Sequence, residues 1–188
     1  MTISLIIIVV IILAVVWLFW GGRNRLVRLN ISVDESAAQI STQLQRRFDL
    51  IPNLVETVKG YAKHEQETFN KVTEARNAIG NALKNVGPEA VDEAEKQYQS
   101  ARLAINAVAE NYPDLKANQN FLALQEELTS TENKVSFARQ AYNDSVRAFN
   151  IGIQVFPTSL IAGMFGFHKR EMFEVENEAV KEAPKVQF

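Results

Sequence analysis

The sequence predicts an all-α protein, with one N-terminal transmembrane helix followed by an up-and-down four-helix bundle of long helices. Three observations predict this class. An uncharged, almost wholly apolar run occupies the first 22 residues. Apolar residues then recur at alternating spacings of three and four, which is typical of helices that bury one face. Residues 32–156 contain few glycines and prolines, and they lack the alternation of apolar and polar residues that indicates strands.

Residues 1–22 are predicted to be a transmembrane anchor. The 18 residues from Ile3 to Trp20 include 14 Leu, Ile, Val or Phe, and Ser4 is the only polar one. As a helix this run is about 27 Å long, close to the thickness of the bilayer core, and the 14 side chains favour insertion by roughly 4–8 kcal/mol. A cleaved signal would need a basic start, a shorter apolar core and small residues at the cut site. Representative anchor residues are Ile3, Leu5, Ile8, Leu13, Trp17 and Trp20.

Residues 23–31 form a basic juxtamembrane segment, with Arg23, Arg25 and Arg28 directly after the apolar run. Basic flanks stay in the cytoplasm, so we expect a single span with the N-terminus outside and the rest of the chain in the cytoplasm. The cluster is short for a specific anionic-lipid site, and its interpretation as a topology signal is preferred.

The segment 32–156 is predicted to form the bundle. Its first apolar stripe begins at Val33 and runs in unbroken phase across Pro52, which is therefore expected to kink one helix rather than start another. Gly87-Pro88 and Tyr112-Pro113 are the clearest breaks. The predicted helices lie near 31–61, 64–86, 89–111 and 119–155.

Residues 157–170 are predicted to be an apolar loop, and residues 171–188 a charged, mobile tail. Such a loop can fold back over the bundle, dock on another subunit or contact the membrane, and the sequence leaves these alternatives open. The residues of the candidate interaction loop are Pro157, Leu160, Ile161, Met164, Phe165 and Phe167.

The motifs of most enzyme classes are missing from the sequence. There is no cysteine and there are two histidines. The pair His64-Glu65 lacks the second histidine of a helical zinc motif, because position 68 is Thr68. No phosphate-binding glycine loop or nucleophile elbow occurs. The net charge of −2 argues against nucleic acid as a partner. We therefore expect no enzyme activity, no cofactor and no metal.

Polar residues on or beside the stripes of the first and last bundle helices call for an explanation. Buried charges must be paired, so we expect a structural network in which Arg47 meets Glu132 and Arg139 meets Asp49. The alternative is a polar pocket between these two helices that binds a ligand. The members of the expected network are Arg47, Asp49, Asn53, Glu132, Arg139 and Asn143.

The segments FDLIPNLVETVKGYAKHE (48–65) and STENKVSFARQAYNDSVRAFNIGIQVFP (130–157), followed by the loop through GMFGF, resemble the LemA family of bacterial membrane proteins. The resemblance covers nearly the whole chain, thinning in 66–110 and after about 175. It implies one N-terminal span in the bacterial inner membrane, a cytoplasmic helical bundle and no catalytic residues. Some members are linked to magnetosome membranes, and family genes often neighbour a membrane protease, which implies envelope organisation or quality control.

The leading hypothesis is a membrane-anchored interaction or scaffold protein without catalytic activity. Its expected partners are the lipid bilayer and a protein, either a membrane protease or a second copy of the chain in a homo-oligomer. Two alternatives remain: a membrane-remodelling protein that uses 157–167 as a second membrane contact, and a ligand sensor with a polar pocket in the bundle.

Overall fold

The protein is described by a computed structural model that covers residues 2–173 of the 188. All regular structure in this range is helical. The all-α class and the long apolar N-terminal helix are therefore confirmed. In chain order the helices are α1 (Thr2–Tyr61), α2 (Gln66–Lys84), α3 (Pro88–Asn111), α4 (Pro113–Lys116), α5 (Gln119–Gly152) and α6 (Thr158–Phe165).

Helix α1 joins the apolar anchor to the bundle without interruption. It has 60 residues, a length of roughly 90 Å, and it continues both through 23–31 and across Pro52. Gly21 and Gly22 each lower helix propensity by about 1 kcal/mol relative to alanine. At this level Gly22 packs closely against Ile161 of α6. The anchor therefore determines the direction in which the bundle leaves it.

The four long helices share an apolar core. Helix α1 lies along α5, α2 lies along α3, and α1 also contacts α2. On α1, as the apolar spacing predicts, the buried side chains recur mainly at intervals of three, four and seven residues. These side chains are Leu26, Val33, Ile40, Leu44, Ile51, Leu54 and Val58.

Local sequence explains where the helices begin and end. Pro88 occupies the first turn of α3, directly after the extended Gly87. The Asn118 side chain caps α5 by accepting the Phe121 amide hydrogen at 3.0 Å. Gly166, with φ of +70°, ends α6 in the left-handed region that glycine adopts without strain.

The chain after α5 differs in two ways from the expected loop and tail. Within 157–170 the structure has a helix, α6, which contacts α1. Residues 167–173, here called the strap, then run back along the bundle without regular secondary structure. The first residues of the expected mobile tail thus belong to the strap, and Phe173 is buried. The rest of that tail, 174–188, lies outside the described residues.

Candidate functional site

Most apolar side chains of the anchor are exposed in the described structure, and Phe19 is the one that packs partly against the core. From Ile3 to Trp20, the large apolar side chains that are exposed range from 46% exposure at Val15 to 75% at Trp17. A core helix of a water-soluble protein would be mostly buried instead. By length and composition, α1 is the one helix among the described residues that can cross a membrane.

The predicted topology flank lies directly after this exposed segment. Arg23, Arg25 and Arg28 are all exposed on α1. The Arg23 guanidinium carbon lies 5.1 Å from the centre of the Phe165 ring, so it stacks on the C-terminal end of α6. This contact brings together two of the sets of residues singled out in the sequence.

Helix α6 docks on α1 just beyond the anchor. A Cβ atom at Gly22 would lie 2.4 Å from Ile161 Cδ1, so the absence of a side chain there permits the close contact. The end of α5 makes a similar approach, because a Cβ at Gly152 would lie 2.9 Å from Leu29 Cδ1. We call this end of the bundle, formed by residues 21–33 and 145–170, the anchor end.

The candidate interaction loop divides into a buried and an exposed set. Ile161 is buried against α1, and Phe167 packs edge-to-face on Phe149 with ring centres 6.2 Å apart. The other members of the loop face outward. The exposed apolar side chains of α6 are Leu160, Met164 and Phe165, and Ile151, Val155 and Phe156 extend the exposed surface toward α5.

Two asparagines of α5 hold the strap by its backbone. Asn143 Oδ1 accepts the Phe173 amide hydrogen at 2.8 Å, and its Nδ2 donates to the Phe173 carbonyl at 3.0 Å. Asn150 makes the same pair of bonds to Arg170, both at 2.9 Å. Each amide side chain thereby satisfies a donor and an acceptor that an extended backbone leaves free.

Side chains of the strap add two specific anchors. Phe173 packs edge-to-face on Tyr142, with ring centres 5.0 Å apart, and the Arg139 guanidinium lies 4.9 Å from its centre. Arg170 donates at 3.0 Å to Asn30 Oδ1 and to Asp34 Oδ1. Asn143 and Arg139, both members of the expected polar network, thus contact the strap, which their sequence pattern does not indicate.

Arg47 lies at the centre of the bundle, fully buried. Its Nη1 donates to both carboxylate oxygens of Glu95 on α3, at 2.8 and 3.1 Å, and its Nε donates to Thr131 Oγ1 at 3.3 Å. The guanidinium stacks on Tyr98 at 4.0 Å. Burial raises the pKa of the Glu95 carboxyl, and the positive charge of Arg47 opposes this shift without cancelling it.

The partners expected for the charged residues are wrong. Glu132 pairs with Arg102 and accepts from Gln99 at 2.7 Å, and Arg139 pairs with Asp92. All three of these partners lie on α3, whereas the expected pairs joined α1 to α5. Asp49 and Asn53 are exposed on α1, and Asp49 accepts only from Gln45 among the described residues, at 2.9 Å.

The residues missed were Asp92, Glu95, Gln99 and Arg102, all on α3. The available signal was their position beside the buried stripe of α3, next to Val91, Ala94, Tyr98 and Ala101. It gave no indication of which helix α3 would face.

The interior offers little room for a ligand near these charges. A cavity of ≈ 20 Å³, about enough for one water molecule, is lined mainly by apolar side chains of α1, α2, α3 and α5. Among residues 2–173 no group of three His, Asp or Glu side chains is arranged to hold a metal ion.

Comparison with known proteins shows which family this chain is related to. A sequence model of the LemA family matches residues 36–188, most of the chain. The chain belongs to the LemA family. The match begins within α1, after the anchor, and includes the helices and the strap. The family assignment and the exposed apolar helix together indicate a membrane-associated protein.

Curated relatives of this LemA-family chain have low sequence identity to it, but the similarity extends over most of its length. Protein LemA of Metamycoplasma hominis is 27% identical over 158 residues, covering 84% of this chain and 71% of that protein. Magnetosome protein MamQ 2 of Paramagnetospirillum magneticum is 23% identical over 174 residues, covering 80% of this chain. MamQ of Magnetospirillum gryphiswaldense is 21% identical over 173 residues, with the same coverage. The chain spans 64% of the length of each MamQ protein.

Proposed function

We propose that this chain is a membrane-tethered scaffold without catalytic activity, which holds a helical bundle at a set position for binding a protein partner. The observation that carries this proposal is the continuity of α1, in which one 60-residue helix is both anchor and part of the bundle. A continuous helix transmits the orientation of the span to the bundle, whereas a flexible linker would not. Membrane confinement also raises the effective concentration of weakly binding partners.

The absence of catalysis is proposed on two observations. The charged side chains at the bundle centre pair with one another, as in the contact of Arg47 with Glu95, and among the described residues Arg47 Nη2 is left without a hydrogen-bond partner. The small cavity nearby is mainly apolar, whereas an active site usually combines a larger pocket with convergent polar groups.

The proposed location is the inner membrane of a bacterium, with the N-terminus outside and the bundle in the cytoplasm. Arg23, Arg25 and Arg28 support this orientation. Because the chain has no cysteine, single cysteines at positions 2 and 120 can be probed with a membrane-impermeant thiol reagent. In intact cells we expect position 2 to be labelled and position 120 to stay unlabelled. Labelling of position 120 in intact cells would overturn the orientation.

The proposed partner is a membrane protease or a second copy of the chain, in envelope organisation or quality control. The names of the MamQ relatives, which are magnetosome proteins, support a role tied to a membrane. Photo-crosslinkers can replace Leu103 on α3 and Phe137 on α5, which are both exposed, in cells that express the full chain. Capture of a protein at one position but not the other supports a specific surface. Equal capture of many abundant proteins at both positions contradicts a scaffold role for these faces.

A second candidate function, membrane remodelling with α6 as a second membrane contact, has its own observation. Leu160, Met164 and Phe165 are exposed on a helix that docks at Gly22, two residues past Trp20. Proteoliposomes of the full chain and of a Met164→Ser, Phe165→Ser variant can be compared by electron cryomicroscopy. Curved or tubular vesicles with the unchanged chain alone support this function, and identical vesicles contradict it. Phe167 stays unchanged in both chains because it packs on Phe149.

A further inference from the structure

The two stretches of chain that meet at the anchor end share an unusual charge composition. Residues 2–33 and 145–170 together contain six basic residues and no acidic residue. Residues 34–144, which form the rest of the bundle, contain 12 basic and 17 acidic residues. The stretches lie more than a hundred residues apart in sequence, and folding places them together through the contacts of α1 with α5 and α6.

Several of these cations lack a carboxylate partner among residues 2–173. Arg147 and Arg170 have carboxylate partners, Asp144 and Asp34. Within the part of the chain that the structure describes, the remaining four have no carboxylate in ion-pair distance. These are Arg23, Arg25, Arg28 and Lys169, and all four are exposed.

The position of α6 along α1 places Arg23 and Arg25, the cations nearest the anchor, at the depth of the lipid headgroups. Ile161 meets α1 at Gly22, which is about 3 Å along the helix from Trp20. Tryptophan is enriched at the membrane–water interface, so Trp17 and Trp20 mark that level. The headgroup layer beyond it is roughly 5–8 Å thick on each side of the bilayer.

The surface of α6 has the side chains expected of a helix that lies in the lipid headgroup layer. An interfacial helix presents apolar side chains to the acyl boundary and cations to the headgroups. Leu160, Met164 and Phe165 are the exposed apolar set, and Arg23 stacks on Phe165 so that its charge lies beside them. Apolar surface and unpaired cations therefore adjoin one another and continue the membrane-spanning part of α1.

We propose that the anchor end of the bundle is a binding surface for anionic phospholipid headgroups, with α6 lying in the headgroup layer. This inference rests on the proposed membrane contact of α6 and adds the class of lipid. A basic side chain near an anionic membrane surface is worth about 1 kcal/mol, so each free cation favours the bound arrangement by about fivefold. The acidic remainder of the bundle is repelled by the same surface, which orients the bundle away from it.

The test uses the full chain in lipid nanodiscs with a single environment-sensitive fluorophore on Met164→Cys, which is clean because the chain has no other cysteine. Discs of phosphatidylcholine alone are compared with discs rich in phosphatidylglycerol, and quenching by lipids with a headgroup nitroxide reports the depth of the probe. We expect stronger quenching in the anionic discs, reduced by high salt. The matched control is a fluorophore on Leu103→Cys, equally exposed on α3, which we expect to be unquenched in both discs.

A charge variant separates lipid class from membrane contact. Lys169→Gln leaves α6 and the topology flank intact, and we expect it to lower the ratio of quenched to unquenched probe about fivefold in anionic discs only. Equal quenching in both kinds of disc, unaffected by Lys169→Gln, would overturn the anionic preference but keep the contact of α6. The absence of quenching in either disc would overturn both.

Discussion

The centre of the bundle and its anchor end differ in the exposure and pairing of their charged side chains. At the centre, Arg47 is fully buried and each of its neighbours Glu95, Thr131 and Tyr98 contacts it. At the anchor end, cations such as Lys169 are exposed while large apolar side chains such as Met164 also face outward. The ion pair at the centre is therefore formed within the chain, whereas the partner that we propose for the anchor end lies outside it. Substitutions should affect folding at the first site and membrane contact at the second.

The largest expected effect on stability is at Arg47. Arg47→Leu leaves the Glu95 carboxyl in the interior without its cation, which should cost about 3 kcal/mol or more of unfolding free energy. Urea unfolding of the full chain in detergent, followed by circular dichroism, measures this loss. Replacing Glu95 by Leu in the same chain should restore much of it, since two apolar side chains leave no charge unpaired. An unchanged melting temperature in the single variant would reject the buried pair.

A smaller and more local effect is expected at Asn143. Asn143→Ala leaves the Phe173 amide and carbonyl without their partners, a cost of about 1–3 kcal/mol that detaching the strap can relieve. Hydrogen exchange should show loss of protection at the Phe173 amide with little change in the core of α1 and α5. Asn53→Ala is the matched control, because Asn53 is exposed on α1. Equal protection of the strap in both variants would argue against a role of Asn143 in holding it.

The pH dependence of stability should differ from that of a surface carboxyl. The pKa of Glu95 is raised above 4.5 in the folded chain, mainly by burial, so the folded state binds its proton more tightly than the unfolded state. The stability of the chain relative to Glu95→Gln should therefore increase as the pH falls through the raised pKa and level off below about 4.5. Unfolding of both chains across this window measures the difference. A decrease with falling pH would mean that Arg47 outweighs burial.

The smallest effect is expected one residue away, at Arg46. Its Nη2 pairs with Glu127 Oε2 at 2.5 Å, but both side chains are about half exposed. Such surface pairs contribute about 0–1 kcal/mol, so Arg46→Leu should shift the melting temperature little. Comparing this variant with Arg47→Leu keeps the substitution and the helix the same, while the burial and the contacts of the arginine differ. A loss as large as that at Arg47 would show that burial of the ion pair does not determine the loss of stability.

The anchor, the helical class and the breaks at Pro88 and Pro113 follow from local sequence, because hydropathy and helix-breaking residues act over a few neighbouring positions. The apolar phase running through Pro52 likewise indicated a continuous helix there, as the structure has it. The expected division between anchor and bundle at Arg23 falls inside the continuous helix α1. Charge marks where a membrane ends, but it does not interrupt a helix.

The partners of charged residues could not be predicted in this way. Arg47 was correctly recognised as needing a partner, but the expected Glu132 lies beside α3 and pairs with Arg102. The period of a helix determines which residues share a face. Which helix that face meets, and at what height, depends on packing between segments far apart in sequence.

By itself the sequence determined that this protein is helical, carries an apolar anchor with basic flanks and resembles the LemA family, because composition, periodicity and motifs are local properties of the chain. Only the tertiary structure decided that α6 docks at Gly22, that Asn143 and Asn150 hold the strap, and that two remote acid-free stretches form one basic end. The physical reason is that such contacts arise when helices pack side by side. Close approach at small residues and the pairing of buried polar groups then select one arrangement among those that the helical pattern allows.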